Sequence, residues 1–193
     1  MKKFPYLAAF QLIMIFFWTF HSELLLAQPD QIKRIQASSI KGMKDAAERT
    51  ARMLETSIQM VIRYAQESKN ADLLIEDTIL PNFNSSAIIE TANKVKNDTI
   101  LTKHRCRAYF TILYNKAKTV PDLRVYFPKV EVTIIDRYNY RCEVKYTQMW
   151  DSERYTDLTD KIVNITFVEN GNKFVAIITG IKYVPHSLKI IRR

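Results

Sequence analysis

From Asp122 to Val184, apolar and polar residues alternate through four successive stretches, as half-buried antiparallel strands require. Between Val125 and Ile135, Tyr126, Val130, Val132 and Ile134 fall on one face and Lys129, Glu131 and Thr133 on the other. Between Tyr138 and Trp150, Tyr138, Tyr140, Cys142, Val144, Tyr146 and Trp150 oppose Asn139, Arg141, Glu143, Lys145 and Thr147. Lys161, Val163, Ile165 and Phe167 open a third strand, Asn170-Gly171 suits a tight hairpin, and Phe174 to Tyr183 returns as the fourth. A three-residue loop, Ile135 to Arg137, would set Glu131 opposite Arg141 and Lys129 opposite Glu143. A five-residue loop would oppose like charges, so charge pairing favours the shorter one. Pro128 cannot donate to a ladder, so its strand is expected to bulge or lie at an edge.

The chain's 193 residues, this sheet included, fit one domain. Met43, Ala47, Leu54, Ile58, Val61 and Ala65 recur at helical spacing and predict a helix over Ile40–Gln66, capped by Ser38 or Ser39. Its basic residues Lys41, Lys44, Arg49 and Arg52 read as a solvated face. A short helix over Ala71–Leu80, stopped by Pro81, precedes a short strand at Ala87–Thr91. Asn93 to Thr99 reads as polar loop, and Thr102–Lys118 as a third helix burying Cys106, Tyr109, Phe110, Leu113 and Ala117. Residues 185–193 read as a loose basic tail.

Lys2 and Lys3 precede an apolar run, Leu7 to Phe20, too short to span a bilayer comfortably, and Ala27 stands before Gln28. This predicts a signal peptide at 1–27, a lead-in at 28–39 and a folded domain at 40–184, with an uncleaved anchor as the alternative. Cleavage would leave +8 of the formal charge of +9. The expected location is periplasmic or secreted, with no transmembrane span after cleavage.

Several chemistries are excluded. Three glycines, Gly42, Gly171 and Gly180, cannot build a P-loop, a dinucleotide fingerprint or a Gly-x-Ser-x-Gly elbow. Cys106 and Cys142 form no Cys-x-x-Cys pair, and His21, His104 and His186 are far apart, so no zinc-ligand spacing exists. No cofactor or metal is implied. His104 stands among Lys103, Arg105 and Arg107, and reads as an exposed helix residue. No stacking aromatic interleaves these charges, so nucleic acid is not an expected partner.

Pro81-Asn82-Phe83 before Ala87-Ile88-Ile89, Arg107-Ala108-Tyr109-Phe110 in a helix, and Tyr155 to Lys161 leading into a strand resemble the nuclear transport factor 2-like superfamily. The resemblance covers Ile40 to Val184 and extends to small exported envelope proteins of Gram-negative bacteria. It implies an α+β fold, a cystatin-like roll with helices on a curved, mostly antiparallel sheet of four to five strands. A conical cavity at one end is also implied. The ketosteroid isomerase-like branch implies a carboxylate base with acidic oxyanion donors, and no matching set is found here. In such a roll Cys106 and Cys142 lie on facing surfaces. Export would permit a disulfide between them, though two buried free thiols are the expected state.

Two functions stay open. The first is a non-catalytic exported module binding a small apolar ligand or an envelope protein. Its ligand would meet Tyr109, Tyr140, Tyr146 and Trp150. A transient protein partner would use the opposite, charged face at Lys129, Glu131, Arg141, Glu143 and Lys145. The alternative is an isomerase-, cyclase- or dehydratase-like enzyme with Asp157 as base in an aromatic-lined cavity, since Asp157 shares parity with Val163 and Ile165.

Overall fold

The computed structural model describes residues 40–95, 98–120, 122–153, 155–170 and 173–192. The signal-peptide and lead-in expectations, the Ser38 or Ser39 cap and the Gly171 turn residue lie outside them.

Helix α1 spans Ile40–Gln66, and each apolar residue that predicted it is buried. The short second helix is instead a π-helical turn, Leu74–Ile79, running into a 3-10 turn, Leu80–Asn82. Strands β1 (Phe83–Val95) and β2 (Asp98–Arg105) follow, then α2 (Cys106–Thr119). Strands β3 (Arg124–Asp136), β4 (Arg141–Asp151), β5 (Tyr155–Asn170), β6 (Lys173–Tyr183) and β7 (Lys189–Arg192) complete the chain. They form one seven-stranded sheet in the order β2, β1, β6, β5, β4, β3, with β7 beside β5. All pairings are antiparallel except β1 with β6. Helix α1 packs on β3, β4 and β6 while α2 packs on β1 and β2, so the open sheet curves around both. Among the described residues, no helix is long and apolar enough to cross a membrane.

Several expectations need correction, beginning with the sheet, which has seven strands rather than four to five. Asn93 to Val95 and Asp98 to Arg105 are not loop and helix start but paired antiparallel strands. The β-branched Thr99, Ile100 and Thr102 pair with β1, and the Thr91 and Thr102 hydroxyls meet at 2.7 Å. The helix therefore begins only at Cys106. The tail is not loose. β5 runs past the end of β6, and its free edge at Tyr155–Leu158 takes up β7. Ser187 fixes the return, its Oγ accepting from Asp160 N at 3.1 Å and donating to Val184 O at 2.6 Å.

The β3–β4 hairpin adopts neither of the two loops weighed above. Asp136 Oδ1 accepts from Tyr138 N (2.9 Å) and Asn139 N (3.1 Å), and Tyr140 takes φ 50°. This turn covers Arg137 to Tyr140, so Glu131 faces Lys145, and Thr133 faces Glu143. Tyr138 leaves the sheet and is exposed.

The strand does bulge at Pro128, and it is also an edge. Phe127 and Pro128 together stand between the pairs Tyr126–Met149 and Lys129–Thr147. The extra residue reverses the parity of the strand. Val125 and Phe127 are buried before it, so Tyr126 points outward rather than inward. Side chains of α1 hold this edge. Glu55 Oε1 accepts from Phe127 N at 2.8 Å, Arg52 Nη1 donates to Phe127 O at 2.7 Å, and Gln59 Nε2 donates to Val125 O at 2.9 Å. Arg52 is thus an edge clamp and not part of a merely solvated face.

Candidate functional site

A cavity of about 260 Å³ lies between α2 and the inner sheet face. Three elements build it. Tyr109, Ile112, Leu113 and Lys116 recur at spacings of three and four, so they form one stripe along α2. Trp150 of β4 pairs with Asp157 of β5, and Thr159 and Lys161 follow at period two on the same face. The β1–β2 hairpin supplies Thr91, Ala92, Asn93, Thr102 and His104 as the far rim. A wider and more open hollow near Gln66, Lys118 and Asp122 gathers no buried titratable group.

Depth sorts the charges. Lys161 is 4% exposed and Tyr109 6%. Asp157 and Trp150 are half-buried and Lys116 is exposed, so these three mark the mouth. The Lys161 ammonium stands 5.8 Å from the Tyr109 ring centre, and the Lys116 ammonium 5.2 Å from that of Trp150. Among the described residues, Lys161 forms no ion pair within 4 Å.

Burial pushes the Lys161 ammonium down to about 8; Asp157 opposes that shift and Lys116 adds to it. Burial likewise raises the Asp157 carboxyl above its ordinary value. The hydrogen bond from Thr159 Oγ1 at 3.0 Å, Lys116 and Lys161 oppose it. Tyr109 is pushed up to about 12, chiefly by burial, while the adjacent Gln148 amide works the other way. That amide influences Tyr109 but meets no partner in good hydrogen-bond geometry, and both its polar atoms are buried. The site can therefore hold an anion at its lysines and exchange protons at Asp157.

The expected ligand residues divide. Tyr109 and Trp150 line the cavity, as does Asp157. Tyr146 does not. It is 2% exposed and stacks on Phe127 with ring centres 4.1 Å apart, so it is filled core. Tyr140 lies at the other end of β4, against Phe174 at 4.8 Å. His104 is a strand residue on the rim rather than an exposed helix residue. Its Nε2 lies 3.2 Å from Thr102 Oγ1. Its basic neighbours are occupied: Lys103 meets Glu90 at 3.5 Å, and Arg107 meets Glu76 at 2.9 Å. Lys161 went without a role in the sequence reading, although its place among inward-facing Val163 and Ile165 is a readable signal.

Cys106 and Cys142 are both free and buried, and burial raises them to about 12 and about 11. Among the described residues, no three His, Cys, Asp or Glu side chains gather as a metal site.

No protein-family model and no curated protein matches the chain. Solved structures of similar fold are found. One is a protein of unknown function from Pseudomonas aeruginosa, described as NTF-2-like. It is 14% identical, with 70% of this chain and 97% of that one covered and a TM-score of 0.48. Another NTF2-like protein of unknown function, from Shewanella baltica, is 19% identical. The match covers 67% of this chain and 93% of that one, at a TM-score of 0.36. A protein from Novosphingobium aromaticivorans, provisionally described as a scytalone dehydratase, is 10% identical. There the match covers 77% and 86%, at a TM-score of 0.44. The present chain is itself an α+β roll, with helices packed on an open, mostly antiparallel sheet.

Proposed function

We propose that this chain is an exported module that binds a small, partly apolar organic acid in the cavity between α2 and the sheet. The observation that carries this reading is Lys161. Its ammonium is buried at the cavity wall, Lys116 stands at the mouth, and Asp157 is the one carboxylate among the described lining residues. A buried ammonium is costly unless paired, and a ligand anion would supply the pairing. Ile112, Leu113 and Trp150 give the apolar wall such a ligand needs. Export rests on Lys2, Lys3, the apolar run and Ala27. Thermal shifts with a panel of aryl and alkyl carboxylates and their amides test the reading. Some acids should raise the Tm and their amides should not. Equal shifts with acids and amides, or none with either, would overturn it.

One observation favours a second reading, an isomerase-, cyclase- or dehydratase-like enzyme. Asp157 lies inside the cavity with its pKa raised by burial, as a carboxylate base would. It accepts its hydrogen bond from Thr159 rather than from a tyrosine hydroxyl, which ranks this reading second.

A further inference from the structure

The cavity keeps an amine and a carboxyl group apart. Asp157 and Lys161 lie four residues apart on one face of β5, a span of roughly 13 Å between their Cα atoms. Asp157 is at the half-buried mouth and Lys161 at the sealed end, with Tyr109 above it. The lysine is thus left without an ion pair among the described residues, facing the space a ligand would fill. A lysine needed only for fold stability gains nothing from that position, because an apolar residue of similar length would fill it without losing hydration.

We infer that Lys161 forms an imine with a small carbonyl compound that carries an acid group, the carbonyl end lying deep at Lys161 and the acid end at Lys116. The inference rests on the small-acid reading of the cavity and narrows its ligand class. The neutral Lys161 amine attacks the carbonyl carbon, and the nitrogen's proton passes to the carbonyl oxygen, giving a carbinolamine. A proton taken up from solvent then goes to that hydroxyl, which leaves as water. An iminium remains on Lys161. One carbon–nitrogen bond forms, one molecule of water leaves, and nothing is oxidised or reduced.

Three features support the step. With Lys161 lowered to about 8 by burial, about a tenth of it is free amine near pH 7. The walls of Tyr109 and Leu113 limit water at the imine carbon. Lys116 lies over Trp150, where it can hold the ligand's acid group.

The probe is 4-formylbenzoate, given to the full chain with cyanoborohydride, which fixes an imine as a stable amine. Peptide mass mapping follows each lysine. Lys161 should be labelled at least about tenfold faster than exposed Lys44, and 4-methylbenzoate, which has the acid but no carbonyl, should block it. Lys161→Arg, its native fold checked by circular dichroism, should give no adduct at that position. If 4-methylbenzoate binds but Lys161 is labelled no faster than Lys44, the imine is refuted and the small-acid reading survives. If neither compound binds and Lys161 is not labelled, both are refuted.

Discussion

The Lys161 ammonium stands 5.8 Å from the centre of the Tyr109 ring, where the ring face offsets a part of its lost hydration. The remainder appears as a titration. Lys161 is lowered to about 8 in the folded chain from 10.5, first by burial. Between those values the unfolded chain keeps a proton that the folded chain has released, so stability rises with pH across the window. Lys161→Met removes the group. The variant should exceed the parent in stability at about pH 7, and the gap should shrink by up to about 3 kcal/mol towards pH 10.5. Urea unfolding at both pH values measures it, and a gap that does not change with pH contradicts the buried charge.

The edge clamp gives a second expectation. Glu55 Oε1 accepts from Phe127 N, and Glu55 also pairs with Arg52 at 3.0 Å. Glu55→Ala leaves that amide unpaired at the Pro128 bulge and should cost about 1–3 kcal/mol. Unaltered urea unfolding would show that the bulge holds itself.

Tyr140, Tyr146 and Trp150 should separate by function. Tyr146→Ala opens the core against Phe127 and should cost about 3–5 kcal/mol of stability. Tyr140→Phe and Tyr146→Phe should leave the affinity of any cavity ligand unchanged, while Trp150→Ala should weaken it. Calorimetry on the three variants decides, and a loss at Tyr140 with none at Trp150 would put the ligand elsewhere.

The thiols are expected to be inert until the chain unfolds. Cys106 and Cys142 are buried and held as neutral thiols. Thiol counting without reductant should find none reactive in the native chain and both in denaturant. None in denaturant would mean a disulfide.

Much of this architecture can be read from residue order. The α1 stripe and the inward residues of β4 and β5 follow from period alone, because a buried face leaves apolar residues at fixed intervals. What escapes period is whatever resets it. The Pro128 bulge shifts the phase of β3 by one, and Asp136 closes a four-residue turn that sets a third register, in which Glu131 still faces an opposite charge, Lys145. β2 and β7 form because β1 and β5 have open edges, a tertiary demand their short sequences do not announce. In the site, Asp157 and Trp150 were legible by parity. Tyr146 and Tyr140 share that parity yet sit at other depths along the strand, which parity cannot report.

Proton uptake on ligand binding tests the role of Lys161 most directly. Near pH 8 the amine is about half protonated when the cavity is free. A simple acid, with no carbonyl to offer Lys161, places its own carboxylate beside the amine and favours the ammonium, so binding should draw in up to about half a proton per ligand. Calorimetric titration with 4-methylbenzoate, in buffers of different ionisation enthalpy, reads that number. The expected result is uptake of up to about half a proton by the parent chain and none by Lys161→Met, which should also bind at least about tenfold more weakly. Binding with no proton uptake by the parent, or equal affinity in the two, would contradict the assignment of Lys161 as the group that holds the acid.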